Sequence, residues 1–130
     1  MIVVDASAIV DTLAAGRPDP ELRDVVSQGD LHAPHLVDIE VVHALRRLVA
    51  VGDLSVERAA DARDDFAELL MVRYPHLPLL DRVWELRESL TAYDAAYVAL
   101  AEILSAPLVT CDARLARAPG HDADVRVFGP

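Results

Sequence analysis

Two hydrophobic patterns alternate along the chain. Short apolar runs predict buried β-strands, and longer segments with apolar residues at every third or fourth position predict helices. Strands are predicted at residues 1–5, 31–34, 74–80, 107–111 and 125–128. Helices are predicted at residues 6–15, 20–28, 35–51, 55–73, 81–90 and 91–104, followed by a short helical turn at 113–117.

Strands that alternate with helices predict an α/β sandwich, in which helices cover both faces of a short, mostly parallel central sheet. The 130 residues contain no repeat, low-complexity tract or obvious linker, so residues 1–130 are predicted to form one domain. Functional groups in such sheets lie at the carboxyl ends of the strands. The residues that end the predicted strands are therefore the first candidates for a functional site.

The chain is strongly acidic, with 22 Asp and Glu residues, 12 basic residues and a net charge of −10. Every basic residue is arginine. This balance argues against a protein that holds nucleic acid mainly through a basic surface. Nucleic acid is then either not a ligand, or it is contacted locally by arginine clusters and by metal ions that offset the carboxylates.

The remaining bulk features predict a cytoplasmic protein that does not enter the membrane. Cys111 is the only cysteine, which rules out an internal disulfide and suits a reducing compartment. No apolar stretch approaches the roughly 18 residues that a membrane span needs. No secretory signal is visible after Met1.

Four acidic residues interrupt apolar runs: Asp5 in IVVD, Glu40 in VDIEVV, Asp94 in TAYDAAYVAL and Asp112 in PLVTCD. Two of them end predicted strands and one lies in the first turn of a helix, so an open α/β sheet can bring them to one edge. Clustered carboxylates repel each other and take up protons unless a cation holds them. Mg²⁺ or Mn²⁺ suits such a cluster, because hard cations prefer oxygen ligands.

The same acids also have structural explanations. Asp5 and Asp112 each precede a predicted helix and can cap it. Thr91 and Asp94 have the spacing of a capping box, which needs no active site. Glu40 has two candidate partners on its own helix, His43 and Arg47. At this level both interpretations stay open for each residue.

Other catalytic patterns are absent from the sequence. It contains no P-loop, no glycine-rich dinucleotide motif, no Gly-x-Ser-x-Gly elbow and no metal-binding spacing of histidines. A haloacid-dehalogenase-type phosphatase would need a second Asp where Ser7 stands, and a receiver domain would need a lysine. The adjacent Arg46 and Arg47 are either a solvated helix end or a phosphate contact near Glu40.

Four segments together resemble a known family. MIVVDASAIV, IEVVHALRRL, LTAYDAAYVALAE and PLVTCDARLA are similar, in this order and over nearly the whole chain, to the PIN-domain ribonucleases, and specifically to the VapC toxins of bacterial toxin–antitoxin pairs. The resemblance implies a metal-dependent endoribonuclease that cleaves structured RNA, with tRNA or rRNA as the typical target. It also implies products with 5′-phosphate and 3′-hydroxyl ends.

The resemblance further implies a site. One or two Mg²⁺ or Mn²⁺ ions would be bound by the four acids Asp5, Glu40, Asp94 and Asp112. Ser7 and Thr110 would steady these ligands, and His43 stands where many relatives carry asparagine. A fifth carboxylate of some relatives is missing after Asp112, which leaves a second metal open. Candidate contacts to the RNA backbone are Arg46, Arg47, Arg82, Arg87, Arg114 and Arg117.

The family also implies partners. A VapB-type antitoxin would cover the groove of the toxin, and a basic tail would suit the acidic charge of this chain. A homodimer is expected through apolar helix faces, with residues 35–51 and 55–73 as candidates. Two alternatives remain: a catalytically degenerate PIN domain that only binds a partner, and a PIN nuclease that acts in RNA processing without a toxin role.

Overall fold

The computed structural model describes residues 1–129 and contains a single five-stranded sheet in this part of the chain. Its strands are β1 Ile2–Val4, β2 Leu31–Pro34, β3 Met71–Tyr74, β4 Leu108–Thr110 and β5 Val125–Val127. The helices are α1 Ala6–Ala14, α2 Pro20–Gln28, α3 Val37–Ala50, α4 Val56–Glu68, α5 Leu80–Glu85, α6 Ala92–Leu104 and α7 Ala113–Arg117, with a 3₁₀ turn at Leu77–Leu79.

The strands lie in the order β3-β2-β1-β4-β5, and all four pairings are parallel. The chain starts in the centre of the sheet, builds outward through β2 and β3, and then returns to place β4 on the other side of β1. The strand order therefore reverses between β1 and β4, and ligands of open α/β sheets bind outside the carboxyl ends at such a point. The prediction of an α/β fold around a parallel sheet is confirmed.

The core forms around β1, β4 and α6. The two strands are short apolar runs without alternation, as expected for strands covered on both faces. Residues 95–101 of α6 are all buried, and this helix contacts β1, β2 and β4. Its alanines let the helix approach the sheet closely, which explains why so apolar a helix carries few large side chains. The burial of α6 places Asp94, in its first turn, at the rim of the core.

The predicted third strand is wrong in position. Of the predicted strand residues 74–80, only Tyr74 lies in a strand, which is Met71–Tyr74, and α4 ends at Glu68 rather than at residue 73. Pro75 and Pro78 cannot donate hydrogen bonds to a ladder, and Pro78 fits the first turn of the 3₁₀ helix instead. The preceding residues pair with β2 in full register, and this edge position tolerates a charged side chain.

The predicted helix at 81–90 is shorter than expected, since α5 begins at Leu80 and ends at Glu85. Within residues 1–129, no helix combines the length and the apolar character that a membrane crossing requires.

Candidate functional site

Asp5 lies at the carboxyl end of β1 and is buried, with 6 % of its surface exposed. Its Oδ1 accepts hydrogen bonds from the Ser7 hydroxyl at 2.7 Å and from the backbone N–H of Ala8 at 3.0 Å. Its Oδ2 accepts from the Thr110 hydroxyl at 2.5 Å. Asp5 therefore caps α1, and the capping interpretation is confirmed for this residue.

The cap leaves one oxygen of Asp5 incompletely used. A carboxylate oxygen has two acceptor positions, and Oδ1 fills both with Ser7 and Ala8. Oδ2 has Thr110 as its single partner in the described part of the chain. One acceptor position on Oδ2 stays open, so capping and ligand binding do not exclude each other.

Ser7 and Thr110 connect the ends of the two central strands. Ser7 accepts the backbone N–H of Cys111 at 3.0 Å while it donates to Asp5. Thr110 accepts the backbone N–H of Asp112 at 2.9 Å while it donates to the other oxygen of Asp5. The two hydroxyls thus hold the segment after β4 against the start of α1. Thr110 thus links the backbone of Asp112 to the carboxylate of Asp5, although 107 positions separate the two acids in the chain.

Glu40 reaches the same region from α3. Its Oε1 accepts a hydrogen bond from the Tyr97 hydroxyl at 2.7 Å. Tyr97 lies in α6 and is 1 % exposed, so its hydroxyl needs a partner inside the protein. Within residues 1–129 neither His43 nor Arg47 forms an ion pair or hydrogen bond with Glu40. Tyr97 was not among the predicted site residues, although its spacing of three residues from Asp94 places both on one face of α6.

Asp94 and Asp112 share an arginine. Asp94 lies in the first turn of α6, where Thr91 caps the helix by accepting the Asp94 N–H at 3.2 Å. Asp112 caps α7 through the N–H of Arg114 at 3.0 Å. The guanidinium of Arg114 also binds the Asp112 carboxylate, with Nη2 at 2.5 Å from Oδ2, and lies 3.9 Å from Asp94 Oδ2.

The four acids, which we call the acidic edge (Asp5, Glu40, Asp94 and Asp112), influence one another electrostatically. Burial raises the pKa of Asp5, Glu40 and Asp94, and the charge of Asp94 raises the pKa of Asp5 and Glu40 further. The pKa of Asp112 is lowered, chiefly by its hydrogen bonds to Arg114. The edge therefore holds three carboxylates whose charged forms are disfavoured, with one arginine beside them.

As the side chains stand, no three His, Cys, Asp or Glu side chains in residues 1–129 surround a common point that could hold a metal ion. In this arrangement Oε1 of Glu40 accepts from Tyr97, and the carboxylate of Asp112 is bound by Arg114. Metal binding by the acidic edge stays a prediction.

The remaining predicted residues differ in their exposure and in what surrounds them. His43 and Arg46 are exposed on α3, and Arg117 is exposed at the end of α7. Arg47 lines a groove of about 580 Å³ between α1 and the end of α3, which reaches Ser7 and Cys111. This groove is mainly apolar, and burial raises the pKa of the Cys111 thiol within it to about 12.

Arg82 and Arg87 are occupied by other contacts. Arg82 donates to Glu102 at 2.8 and 3.0 Å, to Glu85 at 2.9 Å and to the carbonyl of Gly120 at 2.9 Å. We call this set the Arg82 network. Arg87 stacks over the ring of Trp84 at 4.4 Å from its centroid. Contact of either guanidinium with an RNA phosphate stays a prediction.

Comparison with known proteins decides the family. The model of the PIN domain matches residues 2–121. The chain belongs to the PIN-domain family. Within it, the chain is 47 % identical over 127 residues to the protein named ribonuclease VapC1 of Mycobacterium tuberculosis, covering 96 % of each chain. It is also 37 % identical over 127 residues to ribonuclease VapC12 of the same species, covering 98 % of each.

Solved PIN-like structures agree with the fold. VapC20 of Mycobacterium tuberculosis, described as a sarcin–ricin loop cleaving toxin, has a TM-score of 0.69 at 15 % identity, covering 94 % of this chain and 97 % of that chain. PAE2754 from Pyrobaculum aerophilum has a TM-score of 0.64 at 27 % identity, covering 95 % of this chain and 88 % of that chain. The resemblance to PIN-domain proteins of the VapC type is thus confirmed.

Proposed function

We propose that this protein is the toxin of a VapBC-type toxin–antitoxin pair and acts as an endoribonuclease that depends on Mg²⁺ or Mn²⁺. Membership in the VapC group, whose similar members are named ribonucleases, supports the activity. The observation that carries the proposal is the acidic edge at the reversal of strand order, where Arg114 contacts Asp112 and approaches Asp94, while Asp5 and Glu40 form no ion pair in the described residues.

The donor set fits a hard divalent cation. Asp5 would offer Oδ2, its incompletely used oxygen, and Glu40 would offer Oε2, because Oε1 is taken by Tyr97. Asp94 and Asp112 complete an all-oxygen set of the kind that Mg²⁺ and Mn²⁺ prefer. A cation bound there would lower the pKa of a bound water and neutralise charge on the phosphate.

The chain's own residues prepare the carboxylates. Ser7 and Thr110 donate to Asp5 and so favour its ionised form, against the effect of burial. Burial and the neighbouring Glu40 raise the pKa of Tyr97, which keeps its hydroxyl protonated and a permanent donor to Glu40. These hydroxyls leave acceptor positions open on Oδ2 of Asp5 and on Oε2 of Glu40, which are the oxygens proposed to bind the cation.

The RNA substrate would be recognised locally, because the net charge of −10 opposes general attraction of RNA. Arg46, Arg47, Arg114 and Arg117 are exposed and stay candidates for contacts to RNA phosphates. Structured RNA, such as tRNA or rRNA, is the proposed substrate class. The related VapC20 is described as cleaving the sarcin–ricin loop.

The antitoxin would occupy the apolar groove that ends at Ser7 and Cys111. A segment with aliphatic residues would fill the groove, and an adjoining basic residue would reach the acidic edge. Opposite charges of toxin and antitoxin would also speed their association.

A second copy of the chain would cover a different surface. Large hydrophobic residues are exposed at Ile39 and Val42 on α3, at Leu77, and at Leu80 and Trp84 on α5. Clustered exposed apolar residues mark interaction surfaces. The outward face of α4 is charged, so we propose a homodimer through α3 and α5 rather than α4.

The test is cleavage of a mixed RNA pool by the purified protein without antitoxin. We expect cleavage with Mg²⁺ or Mn²⁺, none after removal of the cation by a chelator, and recovery when the cation is returned. Sequencing of the fragment ends would show 5′-phosphates. A folded protein that cuts no RNA with either cation would overturn the proposal in favour of a binding domain.

A further inference from the structure

Arg114 lies against two of the four acids that are proposed to bind a cation. Its guanidinium lies between two of the proposed ligands, with Nε at 3.0 and 3.1 Å from the two oxygens of Asp112. Nη2 is 2.5 Å from Asp112 Oδ2 and 3.9 Å from Asp94 Oδ2. Asp112 and Asp94 form no other ion pair in the described part of the chain. One positive group thus partly neutralises two acids that come from different elements.

We propose that Arg114 is an exchangeable counter-ion: it neutralises Asp112 and Asp94 while no divalent cation is bound, and it moves to an RNA phosphate when a cation takes its place. This inference rests on the cation site proposed above. The exchange replaces one positive charge at the edge by two, because the arginine leaves as the divalent cation arrives. It also brings a guanidinium to the substrate, and guanidinium groups bind phosphate in a forked geometry.

The contacts around Arg114 allow this movement. Its side chain is 72 % exposed, so water solvates the guanidinium when it leaves the carboxylate. Exposed ion pairs are weak, because solvent screens the charges and ordering the long side chain costs entropy. The ion pair between Arg114 and Asp112 therefore weakens the binding of a divalent cation only slightly.

The carboxylate of Asp112 keeps its direction without the side chain of Arg114. Its Oδ1 also accepts the backbone N–H of residue 114 at 3.0 Å, which caps α7. The backbone N–H of Asp112 is bound by Thr110 at 2.9 Å. These backbone contacts remain when the guanidinium rotates away, so the ligand stays oriented after the exchange.

Arg117 provides a matched control on the same helix. It is exposed and close enough to lower the pKa of Asp112, but it forms no ion pair in the described residues. Replacing Arg117 removes one positive charge from the surroundings of the edge without opening a direct carboxylate contact. A difference in Mn²⁺ affinity between Arg114→Ala and Arg117→Ala therefore measures the direct contact of Arg114 with the carboxylates, rather than the loss of one positive charge near the edge.

The experiment is calorimetric titration of Mn²⁺ into the metal-free wild type and the variants Arg114→Ala, Arg117→Ala and Arg114→Lys, at one pH and ionic strength. We expect Arg114→Ala to bind Mn²⁺ about three- to fivefold more tightly than the wild type, the range set by exposed ion pairs. Arg117→Ala should change the logarithm of the Kd for Mn²⁺ by less than about half the change that Arg114→Ala produces. Arg114→Lys, which keeps the charge without the fork, should lie between them.

A kinetic measurement tests the second half of the exchange. With Mn²⁺ saturating for every variant, Arg114→Ala should raise the KM for RNA about three- to tenfold, as expected for a lost phosphate contact. The kcat should change by less than about twofold. Circular dichroism checks folding, and Arg114→Gln replaces Arg114→Ala if that variant fails to fold.

The outcomes separate this inference from the proposed function. If the wild type binds Mn²⁺ and cuts RNA, but Arg114→Ala and Arg117→Ala have the same affinity for Mn²⁺, the exchange is wrong and the nuclease stands. If Arg114→Ala leaves the KM for RNA unchanged, the proposed movement of Arg114 to an RNA phosphate is wrong. If the wild type binds no Mn²⁺ at all, the proposed cation site and this inference fail together.

Discussion

The Arg82 network and the acidic edge both combine acids with arginine, and they do so in opposite ways. In the Arg82 network, the pKa of Glu102 is lowered, mainly by its hydrogen bonds to Arg82 and partly by the N–H of Asp122. At the acidic edge, burial raises the pKa of three acids, and one exposed arginine serves two of the four carboxylates.

This difference distinguishes charged residues that stabilise the fold from charged residues that are available to a ligand. Arg82 and Glu102 satisfy each other and fasten α5, α6 and the loop before β5, so this network has no need of a ligand. The acidic edge keeps carboxylates that the fold does not neutralise. Buried charges without a partner destabilise a protein, and such groups concentrate at functional sites.

The sharpest test of this contrast is Asp5→Asn. We expect RNA cleavage to fall by more than about 100-fold, since even partners behind a metal ligand contribute about 10- to 100-fold. The fold should survive, because the side-chain oxygen of asparagine can still accept from Ser7 and Ala8. The measurement is the initial rate of cleavage in Mn²⁺, with circular dichroism as the check on folding.

Asp124→Asn is the matched control. Asp124 is an exposed acid paired with Arg126 before β5, away from the acidic edge. The same substitution there should leave the cleavage rate within about twofold, because exposed ion pairs contribute little. Equal losses in the two variants would show that the acidic edge has no special role.

Tyr97→Phe should produce a smaller effect. It removes the hydroxyl that holds Oε1 of Glu40, so Glu40 loses its orientation and its charged form becomes less favourable. We expect the Mn²⁺ concentration for half-maximal cleavage to rise about tenfold. Tyr93→Phe, at an exposed tyrosine of the same helix, should leave that concentration unchanged. A larger effect at Tyr93 would contradict the role given to Tyr97.

The smallest expected effects concern stability in the absence of divalent cations, and they have opposite signs. Glu102→Gln should lower the free energy of unfolding at pH 7 by about 1–2 kcal/mol, because Arg82 loses the charge of one of its two acidic partners. Asp5→Asn should raise it by about 1 kcal/mol, because an acid whose pKa is raised in the folded state favours the neutral form there. Urea unfolding with a chelator present measures both.

The pH dependence follows from the same shifts. The pKa of Glu102 is lowered, so its stabilising effect is present above its unfolded pKa and is lost as the pH falls through its folded pKa. The pKa of Asp5 is raised, so stability falls as the pH rises from its unfolded pKa through its folded pKa. On acidification, the difference in the free energy of unfolding between the wild type and Glu102→Gln should therefore shrink. The difference between the wild type and Asp5→Asn should shrink as well.

Much of the fold could be predicted because it depends on local patterns. Composition alone is enough to recognise the apolar runs of β1 and β4 and the alanine-rich helix α6. The error at β3 arose because the helix pattern of α4 was continued as far as residue 73, while two prolines nearby suggested an extended segment at 74–80. Only pairing with β2 distinguishes these possibilities, since an edge strand has no strong pattern of its own.

The candidate site was predictable in its acids and not in its contacts. Asp5 and Asp112 could be picked out because each ends a buried strand. The bond from Tyr97 to Glu40 joins residues 57 positions apart, and a tyrosine in an apolar helix is equally typical of a core. Arg114 was expected to touch RNA, and its contact with Asp112 and approach to Asp94 appear only in the folded chain.

The sequence by itself determined which acids are unusual, because a carboxylate within an apolar run is costly wherever the run becomes buried. It also determined the α/β class, through the alternation of strand and helix patterns. Only the tertiary structure decided which oxygen of Asp5 and of Glu40 is free, since that depends on hydroxyls from Ser7, Tyr97 and Thr110, which distant elements bring together. Hydrogen-bond direction is a property of three-dimensional geometry, and no pattern along the chain encodes it.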